Sequence, residues 1–216
     1  HAHNHYPDFL WRNGTKVPLP NVITQVGDTT GTGYATKRVV YANDLFFDEA
    51  NDFITRNRER PFFFYLALTT PHANNEAARV LGDGNEVPDH HAYDDQPWND
   101  SQKNHAAMIT RMDAGVGAVM ARLKELGLDE RTLVIFTSDN GPHREGGPNY
   151  APEFFTASGP LRGIKRDLWD GGIRVPFIAR WPGKIKAGTE SAQVGYFGDM
   201  MATFAEISGP KAPAGI

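Results

Sequence analysis

Thr132-Leu133-Val134-Ile135-Phe136-Thr137-Ser138-Asp139-Asn140-Gly141-Pro142-His143 is an apolar, β-branched run that stops abruptly at a carboxylate, an amide, a glycine and a proline. That pattern predicts a buried strand ending in a tight loop. In open α/β sheets, ligands sit in the crevice beyond the carboxyl ends of the strands, which is where this loop falls. Asp139 and Asn140 each offer a hard oxygen suited to Ca²⁺ or Mg²⁺. An ordinary Asx-type turn would use the same residue types, so the segment acquires its meaning from its neighbours.

Upstream, Ala42, Leu45, Phe46, Ala50, Phe53 and Ile54 recur mostly at three- and four-residue steps, which predicts an amphipathic helix over residues 39–58. The charged run to Arg60 and then Pro61 close it. Phe62-Phe63-Phe64-Tyr65-Leu66-Ala67-Leu68 follows as a strand apolar on both faces, which suits a parallel sheet covered by helices. It ends at Thr69-Thr70-Pro71-His72, so His72 is expected on the same sheet edge as Asp139. Residues 74–100 are polar and read as a surface excursion near the rim of the site. Ser101 is the expected N-cap of the next helix, whose stripe runs Ile109, Met112, Val116, Val119, Leu123 and Leu126 to Gly127. Asp113 beside that stripe reads as a structural carboxylate. Alternating helices and strands predict an α/β fold, a largely parallel sheet flanked by helices.

Downstream, Gly159-Pro160-Leu161-Arg162-Gly163-Ile164-Lys165-Arg166 precedes Asp170-Gly171-Gly172-Ile173-Arg174-Val175-Pro176. Arg162, Lys165 and Arg174 form a cationic group whose flanking glycines would let backbone and lysine approach an anion closely. Residues 177–181 read as a short strand and residues 195–207 as a final helix. At the other end, residues 1–20 read as a loop. His1, His3 and His5 could share one strand face as a metal patch, but exposed loop histidines are the plainer expectation. The glycine-rich segment from Gly27 to Gly33 lacks the Lys-Ser/Thr ending of a phosphate loop and is read as a loop.

Composition narrows the function classes. The chain has 216 residues, 40% of them hydrophobic, and a formal charge of −4, which gives no electrostatic footprint for nucleic acid or an anionic membrane. No apolar run approaches the ~20 residues of a membrane span. With no cysteine, disulfides, thiol catalysis and cysteine-bound zinc are excluded.

Thr70-Pro71-His72, Thr137-Ser138-Asp139-Asn140-Gly141, Gly163-Ile164-Lys165-Arg166, Asp170-Gly171-Gly172-Ile173-Arg174-Val175-Pro176 and Trp181-Pro182-Gly183 occur in one chain in this order. Together they resemble the sulfatase family of the alkaline-phosphatase-like superfamily, from about Tyr41 to Gly209. The resemblance implies that Asp139 and Asn140 are two ligands of a Ca²⁺ ion. It implies that His72 hydrogen-bonds the sulfate or assists the leaving group, and that Lys165 neutralises a sulfate oxygen. His143 and Arg162 are expected in the substrate pocket. The family usually has Glu where Asp170 stands.

The family nucleophile is a formylglycine made from Cys or Ser in a Cys/Ser-x-Pro-x-Arg motif. Ser158-Gly159-Pro160-Leu161-Arg162 fits the bare pattern, yet it follows the metal pair, whereas the family nucleophile lies far upstream. It is read as a chance match. The early Asp-Asp metal pair and the Gly-Lys-Trp-His segment are absent too, and Ca²⁺ takes about 6–8 oxygens, more than Asp139 and Asn140 supply. The chain is therefore expected to be an internal piece of a longer sulfatase, with the nucleophile elsewhere and no turnover by these residues alone. Residues 1–38 would be a lead-in to the catalytic domain, residues 39–209 its central and C-terminal part, and residues 210–216 the start of a connection. The implied partner is a sulfated small molecule or glycan, and the implied location is periplasmic, secreted or lysosomal. The alternatives are a phosphoryl- or phosphonate-cleaving relative on the same fold, and a non-catalytic binding domain.

Overall fold

A computed structural model describes residues 3–28 and 32–209. His1, the 210–216 connection and part of the glycine-rich segment lie outside the described residues. The chain opens not in a loop but in two antiparallel hairpins. β1 (Phe9–Arg12) pairs with β2 (Thr15–Pro18), with Phe9 opposite Pro18. Asn13 and Gly14 between them both take positive φ, 48° and 82°, the geometry of a two-residue turn matched to strand twist. β3 (Val22–Thr24) pairs with β4 (Tyr34–Lys37). The buried Asn21 side chain ties this region together, donating to the Pro7 and Val40 carbonyls and accepting from the Val39 and Val40 amides. A buried group of Tyr6, Ala35 and Tyr41 seals it.

α1 (Ala42–Asn57) and α3 (Asp100–Glu125) form the helical layer and pack on each other. Ile54, Leu123 and Leu128 are the buried centre, with Phe53, Phe62, Val119, Met120, Leu126 and Val134 packed around them. A side chain at Gly115 would collide with the Phe47 ring, so that glycine admits the ring between the helices. α3 is capped by Asn99, which forms a reciprocal capping box with Gln102. Ser101, the expected cap, instead lies buried within the first turn and donates to Asp83. In the N-terminal half of the helix Ala107 and Met108 are fully buried, and Ile109 faces outward. Asp113 is exposed.

β5 (Val134–Thr137) is the strand expected from the sequence. It pairs with β6 (Phe177–Arg180) in antiparallel register, Val134 opposite Arg180 and Thr137 opposite Phe177. Among the described residues every paired strand runs antiparallel. Residues 62–68, expected as a parallel strand buried on both faces, are extended but carry no strand ladder. Their burial alternates: Phe62, Phe64 and Leu66 turn inward, while Phe63 and Tyr65 are 70% and 80% exposed. Phe62 and Val134 pack on the same α1–α3 cluster, which keeps the α/β layering.

Short α2 (Asn75–Leu81) follows His72, α4 (Asp170–Ile173) precedes β6, and α5 (Asp199–Ser208) ends the described chain. The Phe204 ring of α5 lies 5.4 Å from that of Phe63. Among the described residues no helix is long and apolar enough to cross a membrane.

Candidate active site

Three loops converge at the end of β5: residues 69–74, residues 138–147 and residues 162–172. The 138–147 and 162–172 loops meet by backbone approach, and the second also closes on itself. The Gly141 amide donates to the Gly172 carbonyl at 2.9 Å, the Gly171 amide to the Arg162 carbonyl at 2.7 Å, and the Lys165 amide to the Pro142 carbonyl at 2.8 Å. A β-carbon on Gly141 would lie 1.9 Å from the Gly171 oxygen, and one on Gly171 would lie 2.1 Å from the Gly163 oxygen. Only glycine permits these contacts, so Gly141 joins the two loops and Gly171 closes the second on itself.

The 69–74 loop is held from beneath. Asn74 caps α2 through the Glu76 and Ala77 amides, and its amide nitrogen donates to the buried Glu86 carboxylate. Glu86 pairs with Arg38 at 2.8 Å, while burial holds its carboxyl above the usual range. His5 is fully buried, its Nε2–H donating to the His72 carbonyl at 2.7 Å and its Nδ1 accepting from Asn43 at 3.2 Å. Burial pushes its imidazole down to about 4. The exposed-loop reading of His3 and His5 is therefore corrected: both face the His72 loop.

His72 is the centre of the arrangement. Its Nδ1–H donates to the Ala73 carbonyl at 2.7 Å, which aims Nε2 at the Lys165 ammonium, 2.8 Å away. The His3 ring stacks on it at 4.4 Å, nearly parallel, and the His143 ring lies 5.7 Å away. Glu145 completes the group. Its carboxylate accepts from Lys165 Nζ at 2.9 Å, lies 3.4 Å from His72 Nε2 and pairs with the Arg166 guanidinium. Its side chain is only 11% exposed. Burial alone would raise the Glu145 carboxyl, but the Lys165 hydrogen bond and the two cations outweigh it and hold the group below the usual range. Arg166 takes a positive φ of 80°, a rare backbone state for a side chain of its size.

The remaining expected site residues fall differently. Asp139 is exposed and Asn140 half-buried, and no hydrogen bond or ion pair among the described residues engages either side chain. They are two uncommitted hard oxygens at the loop the sequence indicated, of the right chemistry for Ca²⁺ but short of its full coordination. Among the described residues no group of three or more His, Asp or Glu converges on a metal position. His143 is buried with both nitrogens committed to backbone. Nε2–H donates to the Pro71 carbonyl at 3.2 Å, and Nδ1 accepts from the Glu145 amide at 3.0 Å. It therefore braces the 69–74 loop against residues 143–145. Burial holds its imidazole below the usual value.

Arg162 is exposed, with its guanidinium over the Trp169 ring at 3.6 Å; the cation beside Lys165 is Arg166. The Ser158 hydroxyl donates to the Gly163 carbonyl at 2.9 Å. Sequence reasoning missed Glu145, gave Arg166 no role, and read His3 and His5 as exposed loop histidines. The one available signal was Glu145, a carboxylate two residues past His143 in a loop already expected to face the lysine motif.

Residues 3–210 match the family model described as Sulfatase. The chain is 37% identical to the steryl-sulfatase of Mus musculus over 167 residues, 77% of this chain and 24% of that protein. It is 32% identical to the N-acetylgalactosamine-6-sulfatase of Canis lupus familiaris, covering 79% of this chain and 29% of the relative. It is 30% identical to the arylsulfatase of Hemicentrotus pulcherrimus, covering 98% and 32%. Among solved structures, Ps i-CgsB in complex with k-i-k-neocarrahexaose matches with a TM-score of 0.66 at 29% identity, covering 84% of this chain and 37% of that one. The chain thus spans about a quarter to a third of the length of these curated relatives. A family match over nearly the whole sequence, with the expected α/β fold, makes this chain a member of the sulfatase family.

Proposed function

We propose that this chain supplies the His72–Lys165 half of a catalytic site that hydrolyses a sulfuric ester. The observation that supports it is the convergence of His72, Lys165 and Arg166 on Glu145, in the same loop that carries the uncommitted Asp139 and Asn140. The Lys165 ammonium has three protons; one goes to His72, one to Glu145, and the third is available to a sulfate oxygen. His72 is fixed with Nε2 toward that position, where it accepts from Lys165; a proton taken up on Nε2 in place of that hydrogen bond would let it hydrogen-bond the ester or protonate the departing alcohol. Asp139 and Asn140 would hold Ca²⁺, which when bound draws charge from the sulfate oxygens; further ligands come from outside this pair. By the family resemblance the attacking oxygen would come from a formylglycine outside these residues.

The sulfated partner is a small molecule or glycan. A cavity of about 700 Å³ lined by Asp83, His90, Asn99, Asn104 and Asn149 lies where residues 74–100 meet α3, and neither His72, Asp139 nor Lys165 lines it. By the same family resemblance the protein works outside the cytosol. The family match favours this reading over a phosphoryl-transferring relative or a non-catalytic domain.

The test is hydrolysis of 4-nitrophenyl sulfate by the complete gene product, with and without Lys165→Ala. Removing a preorganised charge of this kind should lower kcat/KM by about 100-fold or more. Equal activity in the two proteins would remove Lys165 from the site.

A further inference from the structure

Glu145 is an unexpected neighbour for a site that binds an anion. It is largely buried, ion-paired to both Lys165 and Arg166, and 3.4 Å from His72 Nε2. Because it accepts from the same ammonium that would meet the ester, its negative charge lies within a few ångströms of the substrate position. Its main chain is also fixed, the amide donating to His143 Nδ1 at 3.0 Å, so the carboxylate is held in place by the fold. A purely structural tie between the two cations would not need a residue shielded to this degree.

We propose that Glu145 is a specificity-determining residue that sets the charge of the pocket, favouring singly charged sulfate esters over doubly charged phosphate esters. This rests on the sulfate-site reading above. Lys165 and Arg166 bring two positive charges and Glu145 removes one, so Glu145 lowers the positive charge facing the ester by one, whatever Ca²⁺ and Asp139 add to both ligands. A phosphate monoester above its second ionisation, near pH ~6, carries about two charges. A fixed carboxylate a few ångströms away repels that dianion about twice as strongly as it repels a monoanion. Glu145 therefore weakens both ligands, and the phosphate ester more.

The experiment uses the complete gene product at pH 8. It compares KM for 4-nitrophenyl sulfate with the inhibition constant of 4-nitrophenyl phosphate in the wild type, Glu145→Gln and Glu145→Asp. Glu145→Gln keeps the size and hydrogen-bonding reach but removes the charge. It should lower the phosphate-to-sulfate ratio of constants by about ten-fold. Glu145→Asp keeps the charge and should hold the ratio near the wild-type value even if both constants worsen. Loss of packing alone would move both ligands together. An unchanged ratio in Glu145→Gln, in an enzyme that still hydrolyses the sulfate ester, overturns the inference and leaves the sulfatase reading intact. A wild type that turns over the phosphate ester and not the sulfate ester overturns both.

Discussion

His5 and His105 show how single polar residues hold this chain together and where it is vulnerable. Both are buried, His5 against the His72 carbonyl and His105 beside Tyr150, and burial lowers each imidazole to about 4. In the unfolded chain each titrates near 6.5. As pH falls below that value the unfolded state takes up protons that the native state refuses. Stability should therefore be full above pH 6.5, decline by up to roughly 1.4 kcal/mol per pH unit for each histidine, and level off below pH 4. Urea midpoints between pH 7.5 and 4.5 measure this, and His105→Gln should flatten the slope; an unchanged slope would contradict the assignment. Residues of this kind are poorly legible in a sequence. A histidine in a loop reads as exposed, and only the distant carbonyl it meets, 67 residues away for His5, makes burial tolerable. Glu145 eluded the sequence for the same reason, since its partners lie about 20 residues on and across two loops. His72, Asp139 and Lys165 were visible because each sits in a short motif with its own loop chemistry.

At the scale of elements, local signals were readable and pairings were not. The three- and four-residue apolar steps gave α1 and α3 to within a few residues, because a helix writes its buried face into its own sequence. The Asn13-Gly14 turn was also present in the sequence, but strands of four residues gave too little alternation to support it. Strand direction is different. β5 and β6 are each apolar runs, and nothing within either specifies that they meet antiparallel. The glycine motifs were legible as loops, yet their true work is close backbone approach, between two loops at Gly141 and within one at Gly171. Gly171→Ala tests this. Its new methyl would lie 2.1 Å from the Gly163 oxygen, so the 162–172 loop must shift. A loss of about 1–3 kcal/mol is expected, with weaker sulfate-ester binding through displaced Lys165. A thermal melt and KM for 4-nitrophenyl sulfate check it; unaltered values would mean the loops do not depend on this approach.

Across the whole molecule the helical core is well covered, while several large apolar side chains are not. Phe63, Tyr65, Phe177, Ile178, Val194, Tyr196 and Phe197 are all more than half exposed. Large apolar side chains this exposed are of the kind that self-association or a further protein surface covers. The 216-residue chain by itself should therefore bind a hydrophobic dye such as ANS strongly and associate as its concentration rises, and Phe63→Ser with Tyr65→Ser should reduce both. Sedimentation showing a monomer at all concentrations, with no dye binding, would contradict this. The family and α/β class were legible because motif order survives in a chain a quarter to a third of its relatives' length. The central claim concerns one point, where Lys165, His72 and the Asp139–Asn140 loop meet. The most direct measurement soaks crystals of the complete gene product in selenate, a sulfate isostere, with Ca²⁺, and locates selenium by its anomalous signal. The account predicts a peak within hydrogen-bonding distance of Lys165 Nζ that disappears in Lys165→Ala. A peak elsewhere, or one indifferent to that substitution, would contradict it.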